Sequence, residues 1–207
     1  MCMYKNVDDF YLMSWDEYQG IVDKLSCSIS KYKNDNGISF DFIVPILRGG
    51  GTLAISLSHR LNVFGVFPVQ YKYMHEDNDK SIYKPHELLF SLDLLEDKQK
   101  EYHILVTEGN HCTGQTSQMC LDRIKAVLPN AKIFYASVGR DYSYIKKLNH
   151  TIYEWYGCLT NESETLTQSE CAEMSVISKF VVYPWENVEE ELEEVNASMI
   201  YHNNKTE

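Results

Sequence analysis

The chain has 207 residues, enough for one well-buried domain, with a hydrophobic share of 44% and a charged share of 24% that are ordinary for globular proteins. Its formal net charge is −11, whereas a protein that grips a nucleic-acid backbone normally presents a basic face. The charge therefore argues against nucleic acid as the main partner. No apolar run approaches the roughly 20 residues that cross a bilayer, so we expect no membrane association.

The cysteine pattern indicates whether the protein is located in a reducing or an oxidising cellular compartment. None of the six cysteines forms a C-x-x-C pair, and no Cys/His spacing resembles a zinc site. The first 15 residues also lack a basic flank followed by an apolar stretch, which a signal peptide would show. These features predict free thiols and a cytoplasmic protein.

The predicted elements alternate along the chain. A capping box at Ser14 and Glu17 begins a helix that ends before a turn at residues 34–37. Apolar, β-branched runs then predict strands, with two predicted helices between them and a third after the last strand. The strands are at residues 40–47, 63–71, 87–93, 103–107, 132–138, 151–156 and 180–183, and the later helices are at 53–61, 117–128 and 186–199.

This alternation predicts an α/β fold with a mainly parallel central sheet flanked by helices on both faces. We expect one domain over residues 1–200 and a frayed tail over residues 201–207. Residues 72–85 are polar and show no periodicity, so we predict a long loop there, and such loops are often functional.

The first candidate binding loop follows the strand at residues 40–47. Gly49, Gly50 and Gly51 would let the backbone approach an anion closely, and Arg48 adds a fork-shaped cation suited to phosphate oxygens. Glycine-rich turns between a strand and a helix are also common for packing reasons, so this loop alone is weak support for a function.

The second candidate loop, residues 108–116, follows the strand at residues 103–107. It ends in Thr113, Gly114, Gln115 and Thr116, directly before a predicted helix. Backbone amides at a helix N-terminus form an anion site, and the two threonine hydroxyls add donors. The alternative is a simple threonine cap.

In this order and spacing, the two loops resemble those of the type I phosphoribosyltransferases, nearest to the xanthine/hypoxanthine-guanine members. The resemblance covers about residues 40–185. It implies transfer of phosphoribosyl from phosphoribosyl pyrophosphate (PRPP) to a purine-like base, with Mg²⁺ and release of pyrophosphate. It further implies a homodimer and a small C-terminal hood-like segment.

The resemblance assigns roles to particular residues. Pyrophosphate binding falls on Arg48, Gly49 and Gly50. The 5-phosphate cradle falls on Cys112, Thr113, Gly114, Gln115 and Thr116. Phe180 would stack on the base, and the Val181 backbone would read the base edge. Glu108 would hold the ribose hydroxyls and Mg²⁺. A mobile catalytic loop would include Lys72, His75, Asp77, Asp79 and Lys80.

The sequence departs from the family at the catalytic positions. The acid pair of the family falls on Glu108 and Gly109, so one carboxylate is missing. The aspartate before Thr-Gly falls on Cys112, and the lysine that reads the purine falls on Ala136. His111 is a candidate acid or base, and its alternative is an ordinary loop histidine. Cys112 as a nucleophile is a further alternative, without support from the resemblance.

Two functions remain open at this point. The first is a Mg²⁺-dependent phosphoribosyltransferase that uses Glu108 and His111. The second is a catalytically silent module of the same fold, which binds a nucleotide or a partner protein as a sensor, regulator or effector subunit, for example in a bacterial or phage conflict system.

Overall fold

The computed structural model describes residues 6–75, 83–144, 146–193 and 195. The four helices that have defined ends are α1 (Trp15–Asn36), α2 (Gly49–Leu61), α3 (Gln115–Val127) and α4 (Gln168–Met174). The strands are β1 (Phe10–Leu12), β2 (Phe42–Leu47), β3 (Gly65–Val66), β4 (Val69–His75), β5 (Tyr83–Phe90), β6 (His103–His111), β7 (Lys132–Asp141), β8 (Thr151–Thr160) and β9 (Phe180–Val182).

The central sheet has the strand order β5-β4-β2-β6-β7-β8, and β3 pairs with β2. All of these pairings are parallel except the one between β4 and β5. The predicted α/β fold with a mainly parallel sheet is therefore confirmed. Among the described residues, no helix is both long enough and apolar enough to cross a membrane.

Each face of the sheet is covered by helices. Apolar side chains of α1 and α2, such as Val22 and Leu57, pack with Leu105 and Phe134 of the sheet in one core cluster. Helix α3 packs on the other face in a second cluster. Two covered faces explain why the central strands read as continuous apolar runs.

The hood is a separate two-stranded unit in which β1 and β9 pair in parallel, with Phe10 opposite Phe180. The backbone N–H of Met13 donates to the carbonyl of Val182 at 3.0 Å, which extends this pairing. The predicted C-terminal hood-like segment is thus present. Its partner strand near the N-terminus was not predicted.

Several predicted element limits are wrong. Helix α1 runs through Asn36 and ends at Gly37, where φ is 63°, so the predicted turn is the last turn of the helix. Residues 49–51 form the first turn of α2 and are not a loop. Strand β6 continues to His111, beyond the predicted end at residue 107. The acidic segment is helical over residues 188–193, which starts two residues later than expected.

The predicted long loop over residues 72–85 is also wrong in part. Strand β4 extends to His75 and pairs with β5, which begins at Tyr83. Lys72 lies on β4 and is exposed. Asp77, Asp79 and Lys80 of the expected catalytic loop lie outside the described residues, as does the tail over residues 201–207.

Candidate functional site

The predicted site residues of the two loops lie at the carboxyl ends of the parallel strands, where open α/β sheets bind ligands, whereas Phe180 and Val181 lie on β9 of the hood. Strand β2 leads into Arg48, β6 ends at His111, and β7 ends just beyond Arg140. Because β6 lies between β2 and β7, the two predicted loops are neighbours in space.

The glycines of the first loop serve to pack α2 against β6. A Cβ on Gly50 would lie 2.1 Å from the carbonyl oxygen of Thr107, and the Thr107 hydroxyl donates to the carbonyl of Gly50 at 3.0 Å. A Cβ on Gly109 would lie 2.9 Å from the Cα of Gly49. The close approach of α2 therefore leaves no room for a second carboxylate at residue 109. The peptide bond between Leu47 and Arg48 is cis.

A cavity of about 290 Å³ opens at the start of α2. Arg48, which is exposed, and Gly49 line this cavity together with the glutamates Glu186, Glu190 and Glu191. Burial raises the pKa of Glu186 to about 8, and the negative charge of Glu191 acts in the same direction. The expected pyrophosphate end of the site is consequently acidic.

Glu108 belongs to a hydrogen-bonded chain across β6, α3 and β7. The Ser117 hydroxyl donates to Glu108 Oε2 at 2.9 Å and lies 2.9 Å from the Tyr135 hydroxyl. The Tyr135 hydroxyl lies 3.1 Å from His111 Nδ1. Burial raises the pKa of Glu108 to about 8, although the hydrogen bond from Ser117 opposes the shift. One chain of contacts therefore joins both predicted catalytic residues.

His111 is buried between two tyrosines. Its side chain is 2% exposed, and its ring lies edge-on to those of Tyr135 and Tyr156. Burial lowers the pKa of His111 to about 4, and the nearby Arg140 contributes in the same direction. At neutral pH the ring is therefore uncharged, with one N–H and one lone pair.

The second loop leads directly into the N-terminus of α3. Gly114 has a φ of 73° and stands at the N-cap of α3. The following residues, Gln115, Thr116 and Ser117, form the first turn of α3, where backbone N–H groups have no intrahelical acceptor. Thr113 is exposed at the rim, and its hydroxyl lies 3.4 Å from the backbone nitrogen of Gln115.

Beneath the hood, Glu162 occupies the centre of a polar cluster. Asn110 Nδ2 donates to both carboxylate oxygens at 2.8 Å, and Cys112 and the backbone of Val181 lie close enough to lower the pKa of Glu162. Burial raises the pKa of Cys112, which opposes thiolate formation.

Two buried polar atoms near this cluster have no partner among the described residues. They are Asn110 Oδ1 and the Tyr183 hydroxyl, and a Cβ on Gly139 would contact both. Phe180 is half-buried and meets the ring of Phe10 edge-on at 5.6 Å. The assignment of Phe180 and Val181 to base binding stays a prediction.

The donor set does not fit a resident Mg²⁺ ion. Within the described ranges, no group of three His, Cys, Asp or Glu side chains is arranged to hold a metal. Glu108 already accepts from Ser117, and Gly109 supplies no carboxylate.

Sequence reasoning missed Asn110, Ser117, Tyr135 and Glu162. Polar side chains in or next to a buried strand are the available signal for Asn110 and Tyr135. Glu162 follows β8 in a segment with no motif, so only the fold shows that it reaches Asn110.

Comparison with known proteins identifies the fold. No protein-family model and no curated protein matches the sequence. A purine phosphoribosyltransferase from Pyrococcus horikoshii is similar in structure, with 19% identity over 86% of this chain and 95% of that chain and a TM-score of 0.61. The fold is that of the type I phosphoribosyltransferases.

Two further structures show the same phosphoribosyltransferase-like fold. A hypothetical protein from Neisseria gonorrhoeae with bound ppGpp is 16% identical, over 90% of this chain and 94% of that chain, with a TM-score of 0.62. The xanthine-guanine-hypoxanthine phosphoribosyltransferase of Helicobacter pylori is 16% identical, over 89% and 99%, with a TM-score of 0.55. At these identities the similarity concerns the fold alone.

Proposed function

We propose that this phosphoribosyltransferase-like protein binds a phosphorylated ribosyl ligand, such as a nucleotide, and transfers phosphoribosyl slowly or not at all. The observation that carries the proposal is the acidic cavity at the start of α2. Glu190 and Glu191 line the cavity together with Arg48, where pyrophosphate would have to bind, beside Glu186, whose raised pKa of about 8 leaves it mostly protonated at neutral pH. Pyrophosphate carries several negative charges, so this lining opposes both its binding and its stabilisation as a leaving group.

The state of the carboxylates near the ribose position supports the same function. Gly109 supplies no acid, and a larger residue there would collide with Gly49. Loss of one preorganised group from a transition state typically costs roughly 10²–10³ in rate. Glu108, with its pKa raised to about 8, carries less negative charge at neutral pH than an ordinary carboxylate.

The ligand class follows from the second loop and the hood. The first turn of α3 and the hydroxyl of Thr116 suit a phosphate group, and Phe180 suits the face of a base. The similar protein from Neisseria gonorrhoeae holds a guanine nucleotide, which makes purine nucleotides the first probes.

The test is isothermal titration of purine nucleoside monophosphates and of PRPP, with and without Mg²⁺. We expect monophosphates to bind without Mg²⁺ and Gly114→Asp to abolish this binding, because it adds a negative charge to the cradle. Since Gly114 has a positive φ, Thr116→Val provides a gentler variant and Thr116→Ser its matched control. Equal affinity in Thr116→Val and Thr116→Ser would contradict the proposed cradle.

A second candidate function is phosphoribosyl transfer itself. The hydrogen-bonded chain from Glu108 to His111 favours it, because it links both expected catalytic residues. The assay is pyrophosphate release from PRPP and Mg²⁺ with adenine, guanine, hypoxanthine or xanthine. Turnover that Glu108→Gln abolishes would establish this function and refute the silent module.

A further inference from the structure

Two buried hydroxyl groups lie between Glu108 and His111. Ser117 Oγ is 2.9 Å from Glu108 Oε2 and 2.9 Å from the Tyr135 hydroxyl. The Tyr135 hydroxyl is in turn 3.1 Å from His111 Nδ1. Each of these distances is that of a hydrogen bond, so the four side chains form one hydrogen-bonded relay. Tyr135 is fully buried, and Ser117 and His111 are each 2% exposed, so bulk water does not interrupt the relay.

The number of hydrogens in the relay fixes its direction. A hydroxyl group has one hydrogen, whereas an ionised carboxylate has none and only accepts. Ser117 therefore donates to Glu108 and must accept from Tyr135. The hydrogen of Tyr135 is then committed to Ser117, so its oxygen accepts from His111 Nδ1. When Glu108 takes up a proton, Oε1 has no hydrogen-bond partner within the described residues and can hold it, which leaves Oε2 an acceptor.

The His111 end of the relay opens on a second cavity, of about 260 Å³, between α3 and the connection from β7 to β8. His111 lines this cavity together with Gly114, Lys146 and Lys147. Its Nε2 would lie 3.0 Å from a Cβ on Gly114 and has no hydrogen-bond partner in the described part of the chain. A neutral imidazole carries its hydrogen on one nitrogen only, so Nδ1 decides what Nε2 offers.

The other neighbours of the ring do not compete with the relay. Arg140 and Glu154 act on His111 through their charges, in opposite directions. The ring of Tyr156 meets His111 edge-on at 5.7 Å, and the Tyr156 hydroxyl donates to Glu154 at 2.7 Å. Among the described residues, Tyr135 is thus the hydrogen-bond partner of the imidazole.

We propose that the relay holds the uncharged His111 ring in the tautomer that carries its hydrogen on Nδ1. Nε2 then offers a lone pair to the cavity, and a ligand atom that meets it has to be a donor, such as a hydroxyl or an N–H group. Ser117 and Tyr135 are positioning residues, because they act on a ligand only through His111. In a catalytic triad a carboxylate sets the histidine tautomer by direct contact, whereas two hydroxyl groups intervene here.

The inference goes beyond the proposed function and does not depend on it, because it concerns the ring before any ligand binds. The test is nitrogen-15 NMR of the whole protein at about pH 9, where Glu108, with its pKa of about 8, is ionised. A ring nitrogen that carries hydrogen resonates upfield of one that does not. Wild type should show the hydrogen on Nδ1. The signals of His111 are assigned by their absence from the spectrum of His111→Gln.

Ser117→Ala should invert the tautomer. It removes the oxygen that accepts from Tyr135, so the Tyr135 hydroxyl is left with His111 Nδ1 as its partner and donates to it. The ring hydrogen then lies on Nε2, and the two nitrogen shifts exchange places. Ser117→Thr keeps the hydroxyl and should keep the wild-type tautomer. Ser28→Ala is a second control, since it removes an exposed serine hydroxyl on α1.

Tyr135→Phe provides an independent variant, because Nδ1 loses its acceptor and the preference for hydrogen on that nitrogen should disappear. A hydrogen on Nε2 in wild type at this pH would overturn the inference. Unchanged nitrogen shifts in Ser117→Ala or in Tyr135→Phe would also overturn it, since the tautomer would then not depend on the relay. Exchanged shifts in Ser117→Ala, with the wild-type pattern in Ser117→Thr and Ser28→Ala, would uphold it whether or not a nucleotide binds.

Discussion

Gly109 is the residue at which packing and catalysis compete for the same space. A catalytic pair of acids would need a side chain there, but the backbone of Gly49 lies within 3.3 Å of any added Cβ. The missing carboxylate is therefore part of the way α2 packs on β6. Restoring it by a single substitution would disturb the fold before it could assist chemistry.

The close contact between Gly109 and Gly49 leads to a prediction about stability. Gly109→Ala should lower the free energy of unfolding by about 1–3 kcal/mol, as overpacking does in a tight interior. Gly20→Ala is the control, since Gly20 is exposed on α1 with nothing within 4 Å of an added Cβ. It should raise stability by about 0.5–1 kcal/mol. Urea unfolding measures both, and an unchanged Gly109→Ala protein would contradict the close approach.

Glu162 predicts a pH dependence of stability. Burial raises its pKa to about 7, and Asp141 adds to the shift, whereas an unfolded glutamate titrates near about 4.3. The folded state then binds more protons, so Glu162 makes stability fall as the pH rises from about 4 to 7. Glu162→Gln should reduce the difference in unfolding free energy between pH 5 and pH 8 by roughly 1–3 kcal/mol.

The control for this prediction is Glu96→Gln, which removes an exposed glutamate. Urea unfolding at several pH values should give wild type and Glu96→Gln the same pH slope. Burial also raises the pKa values of Glu108 and Glu186, and their contributions to the pH dependence of unfolding free energy are present in wild type and in both variants. If Glu162→Gln had the same pH slope of unfolding free energy as wild type, Glu162 would not be a cause of the pH dependence.

At the scale of elements, the acidic segment that begins at Glu186 lies against the start of α2. Its carboxylates stand where an anionic ligand of Arg48 would bind. Glu190→Gln should therefore raise the affinity for pyrophosphate about two- to fivefold at low salt, which is the range for one exposed charge contact. Titration calorimetry with Glu96→Gln as the control measures this, and no gain would show that the segment does not influence the cavity.

The sequence predicted those elements whose local signals agree with their packing. The capping box at Ser14 does begin α1, and the apolar runs of β2, β6 and β7 are central strands. The sequence did not predict that Gly49 and Gly50 belong to a helix, because glycine disfavours helices. Glycine is required at these positions only because α2 approaches β6 so closely. The role of Glu162 could not be predicted, since it depends on tertiary contact with Asn110.

At the scale of the whole molecule, the α/β fold carries two cavities whose linings differ in their charged residues. One lies beside Arg48 and the acidic segment, and the other lies beside Lys146 at the start of α3. The sequence charge of −11 did not predict this separation. The homodimer implied by the sequence resemblance stays a prediction, which sedimentation equilibrium at several concentrations would check by a mass of about twice 24.1 kDa.

The pairing of β1 with β9 has a consequence for protein synthesis. Phe10 leaves the ribosome well before its partner Phe180, because the strands of the central sheet lie between them in the sequence. A nascent chain can therefore form the central sheet before it can form the hood. The cluster of Asn110, Glu162 and Val181 is completed only after Val181 has left the ribosome, so a shorter nascent chain cannot present the hooded side of the site to a ligand.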